Sequence, residues 1–253
     1  MFEPRVALAS LSGESDAEWA KSGAEFAGAA FLGGIALDGP TREAARELVA
    51  RDREEFLPDD PVEFAERQLA ALSDANIRAG VNVRTTSLGP LREVAKVCAD
   101  RNAILELNAH CRQDEMCRVG AGETLLCDSE RLREQVAVAA DAGADVSVKV
   151  RAEVPGADLP EIARTIADAG GDAIHVDAMD SKGVIAEVAD AADLFVVANN
   201  GVRDEATVRE YLAYGADAVS VGRPSDTPEV LRKVRDATTA WFAGEKEETE
   251  VRA

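Results

Sequence analysis

Val196-Val197-Ala198-Asn199-Asn200-Gly201-Val202, then Asp204-Glu205-Ala206-Thr207-Val208-Arg209-Glu210-Tyr211-Leu212, then Ala216-Asp217-Ala218-Val219-Ser220-Val221-Gly222-Arg223 is the stretch that decides the fold. Two apolar runs, each ending in a polar or glycine turn, flank an amphipathic segment that closes near Gly215. Near-continuous apolar strands separated by a helix describe a parallel β-α-β unit covered on both faces. Outward from this unit the pattern recurs. Strands are expected at Arg5–Ser10, Ala29–Gly33, Gly80–Arg84, Ile104–Ala109, Val146–Arg151, Ala173–Val176, Leu194–Ala198 and Ala218–Gly222. A helical pattern from Asp128 to Val136, with Ser129 as its cap, and two more between Thr41 and Ala71, split at Pro58-Asp59-Asp60-Pro61, fit the same alternation. Eight strand–helix repeats in 253 residues give a single-domain (β/α)8 TIM barrel over 1–243 and an acidic, frayed tail over 244–253. A doubly wound open sheet is the alternative on this pattern.

Composition narrows the setting. Aromatics are only 4% of residues, so aliphatic side chains must fill the core. No run approaches the roughly 20 apolar residues of a membrane span, and Met1-Phe2-Glu3-Pro4-Arg5 lacks the basic and apolar regions of a signal peptide. These features lead us to expect a cytoplasmic protein with no membrane partner; nothing in the pattern specifies an oligomeric state. The net charge of −20 is spread along the chain, as expected of a surface adapted to a salt-loaded, halophilic cytoplasm. Such a field opposes a polyanion unless a local basic patch or salt intervenes.

In a barrel of this kind the chemistry sits where strands end. The turns Asn199-Asn200-Gly201 and Gly222-Arg223 offer backbone N–H groups and a guanidinium to a phosphate. Lys149 and Arg151, two apart, share one face of the fifth strand, and buried cations need an anionic partner. A flavin is one such partner; an ion pair with Glu106 is the plainer explanation. The fourth loop, Asn108-Ala109-His110-Cys111 through Gly120-Ala121-Gly122, presents a thiol placed to donate a proton. Cys111, Cys117 and Cys127 with His110 fit neither common zinc nor iron–sulfur spacing, so no metal is expected and Cys117 and Cys127 are read as small packing residues.

These motifs together resemble the dihydrouridine synthases, whose signature runs Asn-x-x-Cys-Pro and then Gly-Ala-Gly-x-x-Leu-Leu. The match is Asn108-Ala109-His110-Cys111 and Gly120-Ala121-Gly122-Glu123-Thr124-Leu125-Leu126. Val148-Lys149-Val150-Arg151, Ala198-Asn199-Asn200-Gly201-Val202 and Gly215-Ala216-Asp217-Ala218-Val219-Ser220-Val221-Gly222-Arg223 match three further family motifs in order. The resemblance covers about residues 5 to 235 and implies an FMN enzyme, reduced by NADPH or NADH, that converts tRNA uridine to dihydrouridine. It implies Cys111 as the acid that protonates the pyrimidine. Asn108, Lys149, Asn199, Asn200, Gly201, Gly222 and Arg223 would hold FMN, and His110, Arg151, His175 and Asp177 would face the substrate.

Several positions depart from the family. Arg112 replaces the proline after the cysteine, Asn82 and Arg84 stand near the family's strand-three glutamine, and His175 and Asp177 stand where it has His-x-Arg. The chain resembles an archaeal short form without the C-terminal tRNA-binding domain. The substrate is therefore expected to contain a pyrimidine, with tRNA as one possibility. A dihydroorotate or dihydropyrimidine dehydrogenase-like enzyme acting on a free pyrimidine is the alternative, and a non-redox phosphate-binding barrel the second.

Overall fold

A computed structural model describes residues 1–252, with side chains through residue 244. Eight parallel strands close into a barrel in sequence order: β1 (Val6–Leu8), β2 (Ala29–Ala36), β3 (Arg78–Arg84), β4 (Ile104–Ala109), β5 (Asp145–Arg151), β6 (Ala173–Asp177), β7 (Phe195–Asn199) and β8 (Ala218–Val221). β1 pairs with both β2 and β8, which closes the cylinder and excludes the open sheet. The helices are α1 (Ala17–Gly23), α2 (Gly39–Val49), α3 (Pro61–Ala70), α4 (Leu88–Asp100), α5 (Asp114–Arg118), α6 (Ser129–Asp141), α7 (Leu159–Asp168), α8 (Val184–Ala191), α9 (Glu205–Ala213) and α10 (Pro228–Arg252). The tail expected over 244–253 lies, beyond Gly244, outside the described side chains. Among the described residues no helix is long and apolar enough to cross a membrane.

Alternation along the strands divides the interior. Outward-facing Val81, Val83, Leu105, Leu107, Val146, Val148, Val150, Ile174 and Val176 join the helix faces in the main core. Inward-facing Ala7, Ala29, Phe31, Ile104, Val197 and Ala218 form a separate apolar plug, with Phe2 beneath it. Phe31 fills the space above Gly80, where a Cβ would meet its ring at 2.6 Å. Further up the same inward rows the residues turn polar: Asn82 then Arg84, Glu106 then Asn108, Ser147 then Lys149 and Arg151, and His175 then Asp177. The polar, C-terminal end of the barrel interior is thus built on an apolar floor.

Helix starts follow local capping chemistry. Asp38, Asp158 and Asp204 accept from the N–H three residues on. For α6 the cap is Asp128, whose carboxylate accepts from Arg131 N–H, and Ser129, expected as the cap, is the first helical residue.

Candidate functional site

One cavity of about 370 Å³ opens at the C-terminal ends of the strands, lined by residues from β3, β4, β5 and β6, from the segments that follow β1, β4, β6 and β8, and from the connection between α2 and α3. Cys111, Asn108, His110, Lys149, Arg151, Asp177 and Arg223 all line it. It also carries Arg53, Arg84 and Arg112 against only Glu14, Glu55 and Asp177, so cations outnumber carboxylates in a chain of net charge −20. A positive mouth in an acidic protein concentrates anionic ligands. A larger groove of about 860 Å³ lies away from the thiol, between α7, α8 and α9.

The loop bearing Cys111 is held from three sides. Asn108 Oδ1 accepts from the N–H of Cys111 (2.9 Å) and of His110 (3.2 Å). The Cys111 carbonyl accepts from Glu123 N–H at 2.9 Å. Gly122, at φ +65°, lies so close that a Cβ there would collide with that carbonyl oxygen, which accounts for the second glycine of the Gly-Ala-Gly segment. Glu123 then pairs with Arg151 at 2.9 Å, tying the loop to β5. Cys117 Sγ sits 3.6 Å from the Cys111 carbonyl, and burial pushes its thiol up to about 11. Cys127, expected to pack as a small apolar residue, is exposed.

Below the cavity runs a buried polar chain. Asn108 Nδ2 donates to Asn82 Oδ1 (2.8 Å), and Asn82 Nδ2 donates to Glu106 Oε1 (2.7 Å). Glu106 Oε2 and His175 Nδ1 are 2.7 Å apart, His175 Nε2 lies 2.7 Å from Ser220 Oγ, and Ser220 Oγ accepts from Asn199 Nδ2 at 2.6 Å. Burial drives His175 below its ordinary value. Burial would raise Glu106, but His175, Lys149 and the Asn82 hydrogen bond outweigh it and leave the carboxyl low. An ionised Glu106 only accepts, so neutral His175 carries its proton on Nδ1 and accepts from Ser220 on Nε2. The direct contact of Glu106 is therefore with His175 and not, as the simpler reading of β5 had it, with Lys149 or Arg151, and Lys149 acts on it only as a nearby charge.

Lys149 is nearly fully buried, and its ammonium donates to Ser10 Oγ at 3.3 Å. Burial lowers it, while Glu106 and Asp177 hold it up. Asp177 is brought down to about 2: burial opposes the shift, but the contact with His110 Nε2 (2.7 Å) and hydrogen bonds from Met179 N–H and Asn200 Nδ2 prevail. Burial keeps His110 low, so it is a neutral donor to that carboxylate.

Not every expected residue reaches the cavity wall. His175 is one layer deeper, with both ring nitrogens engaged. Asn199, Asn200, Gly201 and Gly222 do not line the cavity. The first turn is held by Tyr211, whose hydroxyl donates to the carbonyls of Asn199 (3.2 Å) and Asn200 (2.8 Å), and Asn200 and Gly201 both have positive φ. The space next to the Cα atoms of Gly201 and Gly222 is open. Sequence reasoning missed Glu55 and Arg53. The available signal was the charged Arg51-Asp52-Arg53-Glu54-Glu55 run inside a connection longer than a simple unit needs.

Comparison with known proteins completes the picture. The family model for dihydrouridine synthase (Dus) matches residues 66–250. An uncharacterized protein, MJ0144, of Methanocaldococcus jannaschii is 27% identical over 234 residues, 88% of this chain and 89% of that protein. Among solved structures, FabK (M276A) of Thermotoga maritima superposes with a TM-score of 0.58 at 16% identity over 87% of this chain, which spans 61% of that protein. The tryptophan synthase complex of Pyrococcus furiosus matches with 0.59 at 14% identity, over 95% of this chain and 100% of that one. 3-Hexulose-6-phosphate synthase of Salmonella typhimurium matches with 0.54 at 14% identity, over 93% and 99%. These structural likenesses establish a shared barrel.

Proposed function

Since the chain belongs to the dihydrouridine synthase family of flavin-dependent oxidoreductases, we propose that it binds FMN in the cavity at the barrel mouth and reduces the C5=C6 bond of a uracil moiety, with uridine in tRNA as the acceptor and NADPH or NADH as reductant. One observation carries this reading: Cys111, Lys149 and Arg223, far apart in sequence, line a single cavity. The residues present suit the cofactor. The volume lies in the range of about 300–1,000 Å³ usual for small-molecule sites. A buried Lys149 with no carboxylate in ion-pair contact is suited to an anionic ring, and Arg223 stands beside the open turn at Gly222. Bound FMN would supply hydride to one carbon of the double bond.

The chain's own residues do the rest. Cys111 holds the proton destined for the other carbon. Asn108 fixes the cysteine's backbone and presents its amide edge at the cavity wall. Neutral His110 and ionised Asp177 form a donor–acceptor pair on the substrate side, and Arg151, anchored by Glu123, adds positive charge. His175 contributes by holding Glu106 under Lys149.

A free pyrimidine is the second reading, favoured by the net charge of −20, which repels a polyanion. The family match removes the support for a non-redox phosphate-binding barrel. The deciding experiment has two parts. The purified protein is expected to be yellow, absorbing near about 450 nm as flavoproteins do, and tRNA from a deletion strain is expected to lose a dihydrouridine detectable by mass spectrometry. A colourless protein that takes up no FMN overturns the proposal. A yellow protein with unchanged tRNA, active on uracil or a carboxylated uracil, selects the second reading. Arg223→Ala is expected to weaken FMN retention about tenfold or more, the usual scale for one charge-assisted hydrogen bond. Equal flavin content after gel filtration of variant and parent would remove Arg223 from the phosphate site.

A further inference from the structure

We infer that Arg84 is a positioning residue for proton donation: it stabilises the thiolate that Cys111 leaves behind, and Glu55 sets how much of its charge the sulfur feels. The inference rests on the reading of Cys111 as the acid. In that reaction the S–H bond breaks, its proton goes to the pyrimidine carbon that does not receive hydride, and both electrons stay on sulfur. The thiolate regains a proton from water after product leaves. A negative charge created in a partly buried site needs a nearby cation already in place.

Arg84 is built as such a cation. It ends β3 at 3% exposure and lines the same cavity as Cys111. Its Nη1 donates to Glu55 Oε2 at 2.6 Å and its Nη2 to Ser12 Oγ. β2 makes room for it at Gly34, where a Cβ would stand 3.0 Å from Nε and 3.1 Å from Nη2. Nε is buried without a partner. Burial alone would lower this guanidinium; a thiolate on Cys111, once formed, and the Glu55 carboxylate raise it. The other cations of the wall are less suited: Lys149 faces Glu106 and Asp177, Arg151 is paired with Glu123, and Arg53, Arg112 and Arg223 are exposed to screening water. Glu55, with a side chain only 2% exposed, fixes the guanidinium while cancelling part of its charge.

A purely structural clamp, holding the α2–α3 connection against the barrel, makes a different forecast from an electrostatic role. Iodoacetamide alkylation of Cys111 in the purified protein, followed by peptide mass spectrometry across pH, separates them. Peptide mapping distinguishes Cys111 from exposed Cys127 and from Cys98, whose buried thiol is pushed up to about 12. Arg84→Met is expected to slow alkylation at neutral pH about tenfold and move the pH–rate profile upward, as loss of a neighbouring cation does. Arg84→Lys should recover most of the rate. Glu55→Gln, which keeps the cation and removes its counter-charge, should speed alkylation about threefold and move the profile downward. Opposite signs support the inference; equal signs, or no change in either variant, overturn it. If Arg84→Met does not fold, Glu55→Gln decides alone, with acceleration supporting the inference and an unchanged or slower rate refuting it. Turnover retained by a Cys111→Ala variant would overturn the acid assignment itself, and is read separately.

Discussion

Cys111→Ala is expected to retain its flavin and to lose pyrimidine reduction by about 10²- to 10⁴-fold, the range ascribed to a positioned general acid. The loop should survive the change, because what holds it is backbone chemistry: Asn108 accepts from the Cys111 N–H, Glu123 N–H donates to the Cys111 carbonyl, and Gly122 packs against that carbonyl. None of these contacts uses the sulfur. Alanine removes the proton source and little else, so flavin absorbance and thermal midpoint should match the parent while single-turnover reduction of the acceptor collapses. Oxidation of NADPH by oxygen, which needs no acid at carbon, should persist. Turnover within a few-fold of the parent would show that another group donates the proton, and His110, on the same cavity wall, would be the first to examine.

The chemistry of this chain is legible in its sequence to the depth that local pattern reaches. Apolar runs of strand length gave β4 at its observed bounds and β2 three residues short, because Gly34, Ile35 and Ala36 continue the strand past the turn-like Gly33-Gly34 pair. Strand-end polarity found Lys149, Arg151 and Asp177, since a charged residue in an apolar strand has few places to point except the barrel mouth. What pattern does not carry is pairing between strands. Glu106 and His175 are 69 positions apart, and only the register that sets Glu106 beside Ser147 and His175 beside Lys149 brings them together. Glu55 was invisible for a related reason. A carboxylate in a charged connection reads as solvated surface, and its burial depends on Arg84 reaching up from β3. The turn at Asn199-Asn200-Gly201 was read from its glycine, but Tyr211, which holds it, looks in sequence like one more residue on the α9 core face.

The largest stability effect is expected from Glu106→Leu. Glu106 is fully buried and receives Asn82 and His175, with Lys149 above it as counter-charge. Removing one partner of a buried, hydrogen-bonded ionic group leaves the others unsatisfied, at a cost of about 3–5 kcal/mol. For a chain of this size that is a fall in thermal midpoint of roughly 6–20 °C. The direction of the amide chain should be lost as well: without an obligate acceptor at its end, Asn82 and then Asn108 can rotate, and Asn108 no longer presents only an oxygen to the Cys111 loop. Acidity probes the same network. The chain has two histidines, and burial holds both below their ordinary value. The unfolded chain therefore binds protons below about pH 6.5 that the fold refuses, so stability is full above that pH and declines as pH falls below it. The limiting slope is about 1.4 kcal/mol per pH unit for each proton. Glu106, low in the fold, adds a loss of the same sign only below about pH 4.5, where an unfolded glutamate is protonated. Unfolding midpoints between pH 7.5 and 5.5 should thus fall with acidity in the parent and in Glu106→Leu alike, because His175 stays buried and neutral in both. A midpoint that rises on acidification would mean that a histidine is protonated in the fold, and a Glu106→Leu variant as stable as the parent would show that the carboxylate under Lys149 bears no structural weight.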